Sequence, residues 1–324
     1  MTEEDASRCG LSGRLWSPSV LRAVLKRHNV APRRSLGQNF LIDANILRKI
    51  IEAVRPSSGD LALEVGAGAG TLTHALASSG CNVVAVEIDP GLLGVLRETV
   101  GNLRNVWILR GDVLALDLSE VMEAAKRRFY GEARVEDPDA PRPERGYKIV
   151  SNIPYYITSP FLYEIFKGPD IWGSMTLMVQ EEVARRMMAR PKDEQYGTLS
   201  VIMQSAWDIH FVTKVARTSF WPVPDVDSAI LHFTPRRGFP REEDKTVFLE
   251  AVKAAFRSRR KTILNSFTLS YGVKLGMSKE EIAAHLQRSG LDPGRRAQEL
   301  DLDDFVALAG MVQTWRKSHK RVTL

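Results

Sequence analysis

The segment LALEVGAGAGTLT, residues 61–73, constrains the fold more than any other stretch of the chain. A short apolar run, Leu61–Val65, breaks into glycines at 66, 68 and 70, and a helical pattern resumes over Thr71–Ser79. Glycines between a strand and a helix allow a tight turn and let the backbone approach a ligand closely. The same alternation then repeats. Asn82–Glu87, Val106–Arg110 and Lys148–Ser151 read as strands, and Pro90–Val100 and Leu118–Phe129 as helices, the first with proline at its opening position. Strands separated by helices predict a doubly wound α/β domain whose parallel sheet is covered on both faces. Upstream, Ile46, Leu47, Ile50, Ile51 and Val54 recur at helical spacing over Asp43–Val54, with Asp43 as the N-cap.

The chain has 324 residues, enough for about two domains. Three prolines, Pro138, Pro141 and Pro143, mark residues 130–146 as a surface loop inserted before the fourth strand. PRRGFPREED, residues 235–244, is the best domain boundary, and the helical patterns beyond it predict a small all-helical C-terminal domain. The organisation read here is an N-terminal extension (1–30, with a short helix over Ser19–His28), an α/β domain (31–237), a helical domain (238–314) and a basic tail (315–324). Two cysteines, Cys9 and Cys81, exclude a disulfide scaffold and a zinc ribbon and fit a reducing cytoplasm. No apolar run approaches a membrane span, and the acidic, polar MTEEDASRCG start does not resemble a secretory signal. Lys plus Arg number 45 against 39 Asp plus Glu, a net charge of +6 that is weak evidence for a polyanionic partner until its location is known.

The strand ends carry the chemistry. The glycine turn departs from the G-x-G-x-x-G dinucleotide fingerprint, because Thr71 stands where the third glycine belongs. G-x-G-x-G is more typical of the nucleoside-binding turn of S-adenosylmethionine methyltransferases. Glu87, ending the second strand, is placed to accept both ribose hydroxyls of a nucleoside, and this serves NAD and S-adenosylmethionine equally. Asp112, after the third strand, can accept from an adenine amine. After the fourth strand comes Asn152-Ile153-Pro154-Tyr155. The Asn152 side-chain oxygen and a nearby carbonyl can hold the two N–H bonds of an exocyclic base amine. That favours the tetrahedral geometry in which its lone pair attacks a methyl sulfonium. Tyr155 can stack on a base lifted from its strand. Orientation and electrostatics suffice for such a transfer, without a metal or covalent step.

Seven motifs carry a resemblance: LGQNFLID (36–43), EVGAGAGTLT (64–73), VEID (86–89), GDVL (111–114), NIPYYITSP (152–160), FWPVPDVDSA (220–229) and AFRSRRKTILNS (255–266). Together, over about residues 32–312, the chain resembles the small-subunit ribosomal RNA adenine dimethyltransferases. The resemblance implies a Rossmann-like S-adenosylmethionine-dependent methyltransferase domain followed by a helical RNA-binding domain. It further implies dimethylation of two adjacent adenosines near the 3′ end of 16S rRNA and a role in small-subunit biogenesis. By the family pattern, Asn39, Leu41, Gly66, Glu87, Asp112 and Asn152 bind the methyl donor. Asn152, Pro154, Tyr155 and Phe220 form the catalytic set, with Tyr155 and Phe220 on either side of the target adenine. The expected partner is small-subunit rRNA in an assembling subunit. The protein is expected to be a cytoplasmic monomer that uses no metal and touches no membrane. Ala67 stands where the family usually has proline, and the 130–146 insertion, the N-terminal extension and the C-terminal WRKSHKRVTL depart from the pattern.

KAAFRSRRK, residues 253–261, holds five basic residues and no acid. Arg257, Arg259, Arg260 and Lys261 are expected to meet phosphates, with Arg257 and Lys261 on one face if the segment is helical. Arg33 and Arg34 extend that basic character towards the glycine turn, and Arg316, Lys317, Lys320 and Arg321 add to it in the tail. Three other readings compete. A large-subunit adenine methyltransferase of the macrolide-resistance type shares the donor motifs, but AFRSRRKTILNS and the long helical C-terminal region favour the small-subunit enzyme. A non-catalytic RNA-binding assembly factor is disfavoured by the intact Asn152, Pro154 and Tyr155. A dehydrogenase is disfavoured by the missing third glycine.

Overall fold

The computed structural model describes residues 15–131, 146–236 and 244–318. Most of the 130–146 insertion, residues 1–14, part of the 235–244 boundary, and Lys320 and Arg321 of the tail therefore lie outside the described residues. The chain divides into two compact units. Met1–Glu164, Pro169–Ala184 and Ile209–Pro235 form one, and Ile165–Gly168, Arg185–Asp208 and Arg236–Leu324 the other. Residues 185–208 thus join the C-terminal helices, so the division is not the single break read at 235–244.

The first unit is built on a seven-stranded sheet. Its strands are β2 (Leu61–Val65), β3 (Asn82–Glu87), β4 (Val106–Arg110), β5 (Tyr147–Asn152), β6 (Trp172–Gln180), β7 (Trp207–Val215) and β9 (Ser228–Pro235), in the order β4-β3-β2-β5-β6-β9-β7. Separately, β1 (Phe40–Leu41) and β8 (Phe220–Trp221) form a short antiparallel ribbon. Strands β2 to β6 pair in parallel, but β9 runs antiparallel to β6. The four strands read from the sequence pair in parallel as expected, and β9, which was not read there, makes the whole sheet mixed. The cause is connectivity: no helix crosses over between β7 and β9, and a parallel return needs such a crossover.

All five residues of β2 are buried, as are Val83, Val84, Ala85 and Val86 of β3, because helices cover both faces. Fully burying each Val or Leu contributes about 1.5–3 kcal/mol. The helices are α1 (Pro18–Arg27), α2 (Ala44–Val54), α3 (Thr71–Ser78), α4 (Pro90–Val100), α5 (Leu118–Tyr130) and α6 (Thr158–Lys167). Asp43 caps α2 by accepting from the amides of Asn45 and Ile46, and Ile46, Ile50 and Val54 fill one side of it. Helix α1, in the segment read as an extension, buries Leu21, Val24 and Leu25 in a cluster with Phe40, Leu92 and Val95. Strand order reverses between β3 and β5, on either side of β2. The crevice at the carboxyl ends of β2 and β5 is where open α/β sheets bind ligands.

The second unit is helical: α7 (Glu181–Met188, from Arg185 on), α8 (Thr198–Ala206), α9 (Lys245–Ala255), α10 (Ile263–Phe267), α11 (Lys279–Arg288) and α12 (Leu302–Ser318). Its core is aromatic. Phe256 stacks on Phe305 at 5.6 Å, and Trp315 meets Tyr271 edge-on at 5.5 Å. Helix α9 ends at Ala255, and Thr262 starts α10 by accepting from the Asn265 amide. Arg257, Arg259, Arg260 and Lys261 therefore sit on an exposed turn, which corrects the helical face expected for them. Arg259 donates to the Glu194 carbonyl.

Candidate active site

The glycine turn is a backbone structure. The amides of Gly66 and Ala67 both donate to the Val86 carbonyl, at 2.9 and 3.1 Å, which folds the end of β2 against β3. Ala67 uses an N–H that proline lacks, so this departure adds a hydrogen bond to the turn. Gly66 has φ +69°, and a Cβ there would lie 3.1 Å from the Pro154 ring. Gly70 has φ +87°, and a Cβ would lie 2.9 Å from Thr99 Oγ1. Both positions need glycine for conformation and for space.

Glu87 reaches under this turn. Its Oε2 accepts from the Gly68 amide at 2.8 Å and its Oε1 from the Asp89 amide at 2.9 Å. One acceptor site on each oxygen remains, as a vicinal diol requires. Burial pushes the Glu87 carboxyl above the usual range, against the pull of those amides. Asp89, 1% exposed, accepts from Gly91 and from Gln38 Nε2 at 2.8 Å, and Arg33 approaches it at 3.4 Å. The GQNFL segment is thereby fastened to the end of β3.

The same segment orients Asn152. Asn152 Nδ2 donates to the Asn39 carbonyl at 3.0 Å, which leaves Oδ1 free to accept. The Asn39 side chain donates to the Gly37 carbonyl. Pro154 packs on Gly66, and the Tyr155 hydroxyl lies 2.7 Å from Ser228 Oγ, so the half-buried ring is held at both ends. Asp112 is exposed and accepts from the Leu114 amide.

These residues surround one open cavity. Asn39, Leu41, Gly66, Glu87, Asp112, Asn152, Pro154 and Tyr155 all line it. Phe220 does not. It is 1% exposed and belongs to the core, and the short ribbon sets it opposite Leu41. The flanking role expected for it is corrected to a packing role. Its neighbour Trp221 stacks on Phe40, which in turn lies over Gly68. The basic turn at 257–261 belongs to the other unit and is not part of this cavity.

Sequence reasoning missed Glu64, inside LALEVG. It lines the cavity, is 2% exposed, and its Oε2 has no hydrogen-bond partner. Burial, and next the repulsion of Glu87, push its carboxyl up to about 8. An acid in an otherwise apolar strand was the available signal. The cost is testable in the ligand-free protein. Between pH 4.5 and 8 the unfolded chain has lost this proton while the folded chain keeps it, so stability falls as pH rises. Glu64→Gln is expected to stabilise the protein by on the order of 2–4 kcal/mol at pH 8 and not at all at pH 4. Denaturant midpoints at both pH values check it, and equal shifts at the two would contradict the assignment.

The donor set fits S-adenosylmethionine. A buried carboxyl with one unpartnered oxygen, Glu64, suits an ammonium group, Glu87 a ribose diol, and Asp112 an adenine amine. Among the described residues, no cluster of His, Cys, Asp and Glu could hold a metal ion, and no helix is long and apolar enough to cross a membrane.

Known proteins resemble this chain over most of its length. A small-subunit rRNA methyltransferase A of Moorella thermoacetica is 39% identical over 92% of this chain and 98% of its own. One of Pelotomaculum thermopropionicum is 41% identical over 90% and 95%. The crystal structure of a Plasmodium falciparum dimethyladenosine transferase shares the fold, with a TM-score of 0.66 at 22% identity over 85% of this chain and 98% of that one. The 23S rRNA methyltransferase ErmE gives a TM-score of 0.56 at 25% identity, over 85% of this chain and all of that one. The family model for ribosomal RNA adenine dimethylases matches residues 29–306, and the chain belongs to that family.

Proposed function

We propose that the chain dimethylates the exocyclic amines of two adjacent adenosines near the 3′ end of small-subunit rRNA, with S-adenosylmethionine as donor. The observation that carries this reading is the Asn152 carboxamide. Its nitrogen is committed to the Asn39 carbonyl, and its oxygen is free at the cavity wall.

S-adenosylmethionine, when bound, supplies an electrophilic methyl group. The chain's residues do the rest by placement. Asn39, Leu41, the Gly66 turn, Glu87 and Asp112 hold the donor, with Glu64 at its charged end. Asn152 Oδ1 accepts one amine N–H, which turns the nitrogen lone pair out of conjugation with the ring. Burial holds the Tyr155 phenol above its ordinary range, so it stays neutral. It acts as a stacking face and not as a base. Arg257, Arg259, Arg260 and Lys261 contact phosphates, and the substrate is an assembling small subunit met by a cytoplasmic monomer. The relatives at 39% and 41% identity bear the small-subunit name, which favours this reading over the large-subunit one.

The test is incubation with labelled S-adenosylmethionine and unmethylated small or large subunits, followed by digestion to nucleosides. Dimethyladenosine from the small subunit alone is expected. Label confined to the large subunit would move the protein to the resistance-enzyme branch. No label with donor binding intact would favour an assembly factor.

A further inference from the structure

A second, open groove lies at the other end of the sheet. Asp60 immediately precedes β2, Lys148 and Gly173 begin β5 and β6, and the antiparallel β9 brings His232 and Thr234 to the same end. The groove therefore opens at the amino ends of the parallel strands, opposite the methyl-transfer cavity. Lys49 and Arg55 of the α2 segment and His210 of β7 complete its charged wall.

The acids in this groove are already neutralised. Asp60 pairs with Lys148 at 2.7 Å and accepts from Ser57, and Glu52 pairs with Arg48 at 2.6 Å. Lys148 also donates to the carbonyls of Val54 and Arg55, at 3.2 Å each. Lys49 donates only to Thr213 Oγ1. Among the described residues, no carboxylate pairs with Lys49, Arg55 or His210. His232 has Nδ1 2.8 Å from Thr176 Oγ1, so its Nε2 is the nitrogen left for a ligand. Burial lowers its proton affinity, and His210, Lys148 and Arg55 lower it further.

Arg55 also breaks a local rule. It is the residue that ends α2, with φ +47° and ψ +58°. Glycine is favoured there, because other side chains are strained in the left-handed region. The position thus sets a long cation beside the groove where glycine would be the less strained residue.

We propose that this groove binds the phosphate backbone of the RNA substrate, giving the catalytic unit a second contact remote from the reacting base. The proposal rests on the rRNA reading above. An open trough in which Lys49 and Arg55 face no carboxylate can follow a phosphodiester chain along its length, whereas a small-metabolite pocket closes around most of its ligand.

The test is the double variant Lys49→Gln/Arg55→Gly, compared with wild type for binding to deproteinised small-subunit rRNA across a salt series. The variant is expected to bind about tenfold more weakly at low salt, with a log–log salt slope shallower by about 1–2. Its affinity for S-adenosylmethionine should be unchanged. Arg55→Gly alone relieves the left-handed strain, so it folds at least as well as wild type and must still lose part of the slope. Equal affinity and slope, with wild type binding and methylating rRNA, would overturn the groove proposal alone. A wild type that neither binds nor methylates rRNA would overturn the rRNA reading with it. A third arm adds inorganic phosphate. If phosphate raises the melting temperature of wild type but not of the variant, while RNA binding is the same in both, the groove is a small-anion site and the RNA proposal is wrong.

Discussion

Asn152→Ala is expected to lower the methylation rate at saturating substrates by at least about 10²–10³-fold, the range found when one preorganised polar contact to a reacting centre is removed. RNA affinity and thermal stability should stay near wild type. The reason is local. Asn152 Nδ2 spends its donor on the Asn39 carbonyl, so Oδ1 is the part of the side chain left free to accept from a substrate amine. Asn152→Asp separates the two roles. It keeps an acceptor but sets a carboxylate against the Asn39 carbonyl, so it should be impaired as well. Single-turnover rates on small subunits, with RNA binding measured in parallel, decide the matter. Loss of RNA binding together with activity would show that Asn152 is structural.

Glu87→Ala should act on the donor. The carboxylate accepts the amides of Gly68 and Asp89 and has room for two hydroxyls. Its removal leaves two amides short of an acceptor and the diol unmatched, and the lost contacts are worth about 1.5–3 kcal/mol each when one partner is charged. S-adenosylmethionine affinity should fall about 10²–10³-fold by calorimetry. Glu87→Gln keeps one acceptor oxygen and should lose less. RNA affinity should be unchanged in both. An unaltered donor affinity in Glu87→Ala would remove this residue from the site.

The strands β2, β3 and β4 were legible to the residue because each is a short, largely apolar run bounded by glycine or turn residues, and β2 and β3 are buried by helices. The strands β6, β7 and β9 were not read. β7 is a sheet edge whose exposed residues break alternation, and β9 owes its direction to a distant pairing with β6. The site divides in the same way. The glycine turn, Glu87, Asp112 and Asn152 stand at strand ends, where chain position sets spatial position. Phe220 depends on the register of a two-residue ribbon, which chain position does not specify, and there it turns into the core. The basic turn at 257–261 looked helical because its charges are helically spaced, but the Thr262 cap restarts the helix after it. Gln38 and Glu64 went unread because their roles depend on Asp89 and Glu87, which the fold alone brings near them.

The most direct test of the account is mass analysis of the 3′-terminal fragment of small-subunit rRNA after incubation with the protein and S-adenosylmethionine. The account predicts four added methyl groups on one fragment, two on each of two adjacent adenosines, and none with Asn152→Ala. Methyl groups on another fragment, or a product that stops at one methyl per adenosine, would contradict it.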